Sequence, residues 1–389
     1  LLVDYSCAIK LSTSISIISA MQEAGRHSVM VKGGKYLEAM DQADTIVFDK
    51  TGTLTNAQPF VQKVTPIGNY TRDEVLRIAA CLEEHFPHSV ANAIVKQASS
   101  EQSHHEEEHA EVKYIIAHGI ATIYRDQRAI IGSDHFVFED EGCTVPEGRQ
   151  EMFDNLPEEY SHLYLAIEDK LAAVICIEDP VRPEAKEVIS SLKELGISKV
   201  VMMTGDSDRT AKAIAKKAGI DEYYSEVLPE DKAAFVEKEK AAGRKVIMIG
   251  DGINDSPALS AADVGIAIGA GTDVAIESAD IVLMKNDLLD AVGAVKLSKA
   301  VIRNIKENLF WAFCYNAIGI PLAAGVFYPL LNWQLSPMFG SAAMSFSSVF
   351  VVCNALRLKG FQPGFRKKRG GKTTAVSAEK KRSPRPAPV

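Results

Sequence analysis

The chain has little of what marks small secreted or metal-stapled proteins. Its 389 residues include six cysteines, scattered and without a CxxC pair. That spacing offers neither a disulfide framework nor a zinc finger, and the soluble part is expected to face a reducing compartment. No cleavable signal-peptide pattern is visible, and the first residues read as the inside of an element. Basic charge is not in excess, with 43 basic against 51 acidic side chains, so no nucleic-acid partner is expected. Apolar residues are plentiful at 47%, enough to fill two soluble cores and still supply apolar spans.

The heptad Asp49-Lys50-Thr51-Gly52-Thr53-Leu54-Thr55 directly follows the apolar run Thr45-Ile46-Val47-Phe48. A carboxylate that leaves a buried strand into a glycine turn suits attack on a phosphoryl group, because the strand fixes its position and the turn offers backbone N–H groups. The alternative is an acidic residue in a surface turn. Two later segments repeat the pattern: Lys199 to Met203 followed by Thr204-Gly205-Asp206, and Lys245 to Ile249 followed by Gly250-Asp251-Gly252-Ile253-Asn254-Asp255. Strands alternating with helical stretches imply a parallel sheet whose ligands sit at the carboxyl ends of the strands, so the three clusters should share one crevice.

These motifs, in this order, resemble those of P-type ATPases, cation pumps built on a haloacid-dehalogenase-like catalytic domain. The resemblance runs from residue 1 to about 358, the C-terminal half of such a pump, and points to the heavy-metal, copper-type branch. It implies an α/β fold: a parallel phosphorylation-domain sheet with an inserted α+β nucleotide-binding domain, plus transmembrane helices. It also implies ATP and Mg²⁺. Asp49 would be the nucleophile, with Lys50 and Thr51 beside it. Thr204, Gly205 and Asp206 would hold the transferred group near a helix starting at about Asp208. Lys232 matches the family lysine that neutralises that group; without the resemblance it reads as a solvated lysine. Asp49, Asp251 and the Thr51 carbonyl would bind Mg²⁺, with Asn254 and Asp255 orienting that shell. Phosphatases of the wider superfamily carry a second aspartate where this chain has Thr51, which cannot serve as acid or base.

The expected layout places a partial membrane helix at 1–20, the phosphorylation domain at 21–56 and 172–295, the nucleotide-binding domain at 57–171, a membrane hairpin at 305–357 and a basic disordered tail at 358–389. Glu83 and His88 match the family's adenine contacts, and Gly119 and Gly132 are the remaining glycine contacts with nucleotide. The run His104 to His109 invites a metal-site reading but has no partner cluster, so a solvated loop is the alternative. Two apolar stretches, Leu309 to Leu331 and Leu335 to Leu356, approach the ~20 residues of a spanning helix. The tail beside them favours the cytoplasmic face and anionic lipid, as do the catalytic domains of the family.

For the transported ion, the resemblance points to Cys7, Tyr315, Asn316, Met344 and Ser348. Cys7 is the cysteine that remains of a Cys-Pro-Cys pattern. Copper, zinc or another divalent cation all fit this mixed donor set. The actuator loop Thr-Gly-Glu is not found, so a missing N-terminal half is expected as partner. Two rivals remain: a haloacid-dehalogenase-like phosphatase, and a truncated membrane module that binds nucleotide without turnover.

Overall fold

The apolar runs before the three polar turns become the centre of a parallel sheet. The structure is a computed structural model and describes residues 5–84, 89–101, 113–115, 119–146, 148, 153, 155–157, 160–251, 253–269, 273–324 and 337–361. In chain order the elements are α1 (Tyr5–Arg26), β1 (Val29–Val31), α2 (Gly34–Asp41), β2 (Thr45–Asp49), β3 (Phe60–Pro66), α3 (Arg72–Glu83), α4 (Ser89–Ser100), β4 (Lys113–Ile115), β5 (Gly119–Tyr124), β6 (Gln127–Gly132), β7 (Ser161–Ile167) and β8 (Lys170–Glu178). They continue with α5 (Ala185–Glu194), β9 (Lys199–Met203), α6 (Asp208–Ala218), β10 (Glu222–Tyr224), α7 (Pro229–Ala241), β11 (Val246–Gly250), α8 (Ser256–Ala261), β12 (Val264–Ile268), α9 (Asp273–Ser278), β13 (Ile281–Leu283), α10 (Leu289–Ala323) and α11 (Pro337–Leu356).

Seven strands form a sheet in the order β1-β13-β12-β11-β2-β9-β10, parallel throughout except where β1 meets β13. Both faces are covered, which is why its strands read as unbroken apolar runs. Ile46, Phe48, Val200, Met202, Ile247 and Ile249 join one core with α2, α5, α6 and the start of α10. Their alternate neighbours Val47, Val201, Met203, Val246 and Met248 join a second core with α7 and α8. Each such side chain, fully buried, stabilises by about 1.5–3 kcal/mol.

The inserted unit is a six-stranded antiparallel sheet, β3-β8-β7-β6-β5-β4. Helices α3 and α4 cover one face with Leu76, Ala79, Leu82 and Ile94. Helix α3 starts at a reciprocal cap: the Thr71 N–H donates to Glu74 Oε2 at 2.8 Å and the Glu74 N–H to Thr71 Oγ1 at 3.3 Å. The domain boundary expected between 171 and 172 needs correction. It falls inside β8, which pairs with β3 and β7 along its length, so this sheet extends to Glu178.

The helical part also departs from the expected layout. Instead of a hairpin helix beginning near 305, α10 runs unbroken for 35 residues from Leu289. Its first turns belong to the phosphorylation core through Ala291, Val292, Val295 and Val301. No proline interrupts it before Pro321, so nothing stops the helix between the two regions. Among the described residues no helix is long and apolar enough to cross a membrane. Lys296, Lys299, Arg303, Lys306 and Glu307 are spread along α10 to just past its middle. Residues 325–336, within the expected hairpin, and the tail from 362 lie outside the described residues.

Three buried asparagines join the helices in a closed ring. Asn304 Nδ2 donates to Asn354 O at 3.0 Å, Asn354 Nδ2 to Asn308 Oδ1 at 2.8 Å, and Asn308 Nδ2 to Asn304 Oδ1 at 3.3 Å. Ser16 of α1 donates to Asn304 Oδ1 at 2.8 Å, so α1, α10 and α11 share one satisfied polar network.

Candidate active site

Strand register assembles the site. Asp49, the last residue of β2, lies opposite Met203 of β9, while Phe48 lies opposite Ile249 of β11. Thr204 and Asp251 therefore emerge one position beyond Asp49 on its two sides. After Asp49 the chain makes a wide turn in which Thr51 is extended (φ −74, ψ 126) and Gly52 takes φ 75, a region only glycine enters freely. The Gly52 N–H donates to Thr55 Oγ1 at 3.2 Å, and the Thr55 hydroxyl donates to Asp179 Oδ2 at 2.6 Å.

Lys232 comes from the first turn of α7, which Pro229 starts at a position where its missing N–H costs nothing. Its Nζ lies 2.5 Å from Asp49 Oδ1 and 2.8 Å from Asp255 Oδ1, and all three residues are buried. Burial opposes the ammonium charge, but Asp49 and Asp255 outweigh it and raise the Lys232 pKa. Asp49 is pushed up to about 7, first by burial and then by Asp255, with Lys232 pulling the other way. Asp251 is pushed up to about 6, again by burial and then by Asp255.

Carboxylate oxygens of Asp49, Asp251 and Asp255 lie within 4.8 Å of one another. Three carboxylates facing one ammonium leave a deficit of positive charge, and their hard oxygen donors fit Mg²⁺. Asp255 thus stands inside the carboxylate cluster, more directly than the orienting role expected from the sequence. Asn254 is exposed, and Gly252 lies outside the described residues.

A second ion pair flanks the first. Lys50 Nζ lies 2.6 Å from Asp206 Oδ2, and the Thr204 hydroxyl donates to the same oxygen at 2.8 Å while accepting the Asp206 N–H at 3.1 Å. Burial opposes charge on both Lys50 and Asp206, yet each is stabilised by the other: Lys50 is raised and Asp206 lowered. Gly205 is exposed, and α6 begins at Asp208.

The other candidate residues that the structure describes lie on other elements. Glu83 is buried at the end of α3. Gly119 and Gly132 face each other across β5 and β6. A β-carbon on Gly119 would collide with the Phe136 ring and the Ile131 carbonyl, so close packing explains this glycine as well as nucleotide approach does. His88 and the run His104 to His109 lie outside the described residues. Cys7 is in α1 and Met344 in α11, but their side chains are not among those described. Asn316 is buried, its Nδ2 donating to Ala312 O at 2.7 Å. Half-buried Tyr315 lines a cavity of about 420 Å³ with Trp311, Phe346 and Phe350, and Ser348 is also half-buried. The described side chains do not gather into an ion site.

Sequence reasoning missed Asp179 and Arg182. Arg182 is buried; its Nε donates to Thr55 O at 3.0 Å and its Nη2 to Gly52 O at 2.9 Å. The signal was there: Asp179-Pro180-Val181-Arg182 ends an apolar strand with a polar turn, as the other motifs do.

The fold and this site define a class, the haloacid dehalogenase-like hydrolases, whose sequence profile matches residues 43–263, with a second profile of the same description at 233–295. The chain belongs to that family and, within it, to the heavy-metal P-type ATPases. The copper-transporting ATPase 2 of Rhizobium meliloti (strain 1021) is 44% identical over 366 residues, 93% of this chain and 44% of that protein. The silver exporting P-type ATPase of Salmonella typhimurium is 39% identical over 372 residues, 94% of this chain and 44% of that protein. A solved zinc-transporting PIB-type ATPase in the E2.Pi state has 32% identity and a TM-score of 0.69, covering 91% of this chain and 56% of that one. The catalytic domain of the CPx-ATPase CopB-B has 31% identity and a TM-score of 0.57, covering 71% of this chain and 97% of that one. The chain spans a little under half the length of the curated relatives named here.

Proposed function

We propose that the chain is the catalytic and C-terminal part of an ATP-driven transition-metal pump that works through an aspartyl-phosphate. The observation that carries this reading is the meeting of Asp49, Asp251, Asp255 and Lys232 at the ends of adjacent parallel strands. An Asp49 carboxylate oxygen attacks the γ-phosphorus of ATP; the new O–P bond forms as the bond to the β–γ bridging oxygen breaks, and ADP leaves. Lys232 neutralises charge on the transferred group, while Lys50, held by Asp206, supplies a second cation beside it. Asp49, Asp251 and the Thr51 carbonyl would hold Mg²⁺, which would supply charge neutralisation and alignment when bound.

Thr51 separates this reading from a phosphatase. Its side chain can neither give nor take a proton at neutral pH, so the acyl-phosphate persists long enough to drive a conformational change. The six-stranded unit is the nucleotide-binding domain, with Glu83, His88, Gly119 and Gly132 as its contacts. The cargo is a copper-, zinc- or silver-like cation, matching what the relatives' names state. Cys7, Tyr315, Asn316, Met344 and Ser348 are its proposed ligands. The chain acts with the remaining part of a longer, multi-pass membrane protein, its catalytic domains and basic tail on the cytoplasmic side.

Incubation with Mg²⁺ and γ-labelled ATP tests the reading. Acid-stable label that hydroxylamine releases, and that Asp49→Asn abolishes, is the expected result. Absence of label from the folded chain would favour a nucleotide-binding module without turnover.

A further inference from the structure

The guanidinium of Arg182 makes contacts that the phosphoryl-transfer chemistry does not require. Besides Thr55 O and Gly52 O, its Nη1 donates to Asn286 O at 3.0 Å and its Nη2 to Asn286 Oδ1 at 2.5 Å. The Arg182 N–H also donates to Leu54 O at 2.8 Å. A buried cation thus donates its hydrogen bonds to carbonyls, with Glu184 at 3.9 Å and the charges of Asp287, Asp251 and Asp179 also acting on it. Burial lowers its pKa, although a guanidinium remains charged.

The two sets of acceptors belong to different parts of the machine. Gly52, Leu54 and Thr55 form the turn that carries Asp49. Asn286 lies between β13 and α10, and the next residue, Asp287, accepts the Leu289 N–H at 3.0 Å on its Oδ1, capping the first turn of α10. Helix α10 then continues to Ala323 through the asparagine ring that joins it to α1 and α11. A planar fork with five donors can hold both sets at once; an ammonium, with three donors on one point, cannot span them.

We propose that Arg182 is a positioning residue that locks the Asp49 turn to Asn286, so that loading Asp49 is transmitted to the root of α10. The proposal rests on the reading of Asp49 as the phosphoryl acceptor. When a phosphoryl group and a cation draw on this turn, any shift of the Gly52 and Thr55 carbonyls must carry the guanidinium with it, and through Asn286 the helix cap. Packed elements of this kind pass on displacements because they have few alternative arrangements.

The test uses the full chain and three variants, Asn286→Ala, Arg182→Lys and Arg182→Gln. It has two readouts: the rate of acyl-phosphate labelling, and hydrogen exchange at the amides of residues 287–292 with and without Mg²⁺ and beryllium fluoride, a mimic of the phosphorylated aspartate. In the wild type, beryllium fluoride should change exchange at 287–292 by at least about threefold, a scale set by local opening equilibria. Asn286→Ala removes the bond to Oδ1 but keeps the one to the Asn286 backbone carbonyl, so it should at least halve that change while labelling within about twofold of wild type, since the bonds to Gly52 and Thr55 remain. Arg182→Gln should label at least about tenfold more slowly and lose the exchange change, and Arg182→Lys should fall between them. A wild type that labels normally beside an Asn286→Ala variant that keeps the full exchange response would overturn the link alone. A wild type that takes no label would instead overturn the reading of Asp49.

Discussion

Gly52 and Asp251 pack so closely that a β-carbon on the glycine would overlap the aspartate carboxylate. The φ of 75 at Gly52 adds a backbone reason for the same residue. Gly52→Ala should displace Asp251 or the Asp49 turn by about an ångström, a shift that costs roughly a hundredfold in rate when reacting groups are misplaced. Labelling by γ-labelled ATP should fall by that factor while ATP binding to the six-stranded unit, measured by calorimetry, stays unchanged.

Removing Lys232 tests the charge balance. Lys232→Ala leaves two buried carboxylates, Asp49 and Asp255, without their shared cation. Breaking a buried pair in this way costs about 3–5 kcal/mol, and Mg²⁺ should restore part of it. Denaturant unfolding with and without Mg²⁺ measures both effects, and the Mg²⁺ stabilisation should be larger in the variant than in the wild type.

The carboxylate cluster also fixes a pH dependence. Asp49 is pushed up to about 7 and Asp251 to about 6, from an ordinary 3.8. Between about pH 4 and 7 these two carboxyls hold more protons in the folded chain than in the unfolded one, so without a divalent cation their contribution to stability should fall as pH rises through that window, a slope that Asp251→Asn should reduce. Mg²⁺ competes with those same protons. The Mg²⁺ concentration for half-maximal stabilisation should therefore rise as pH drops from 7.5 towards 5.5, a trend read from melting curves at a series of pH values; a flat dependence would contradict it.

Gly119 offers a test away from the reaction centre. Gly119→Ala drives a β-carbon into Phe136 and the Ile131 carbonyl, and overpacking of this kind costs about 1–3 kcal/mol. Calorimetric unfolding should show the loss, with Asp49 labelling at saturating ATP retained.

How far the chain could be read in advance depended on where each signal lay. Asp49, Thr204 and Asp251 were legible because each ends a doubly buried strand abruptly, and adjacent parallel strands must bring such ends together. Lys232 was legible only through the resemblance, since nothing in a lysine on the first turn of a helix shows that it turns inward. Arg182 carried the same strand-end signature but follows β8, a strand of the other sheet, so its arrival under the Asp49 turn depends on how two sheets meet. The start of α10 was hidden because its charged middle separates two apolar stretches that belong to one helix. An ion site drawn from α1, α10 and α11 depends on helix rotation and mutual depth, which spacing along one chain does not encode.

The most direct measurement of the central claim is to locate the phosphate itself. The chain is loaded with ATP and Mg²⁺, quenched in acid, reduced with borohydride to trap any acyl-phosphate, and digested for peptide mass spectrometry. The account predicts that the reduced residue is Asp49, at a level that depends on Mg²⁺ and vanishes in Asp49→Asn. Trapping at any other residue, or a modified fraction unchanged by that substitution, would contradict it.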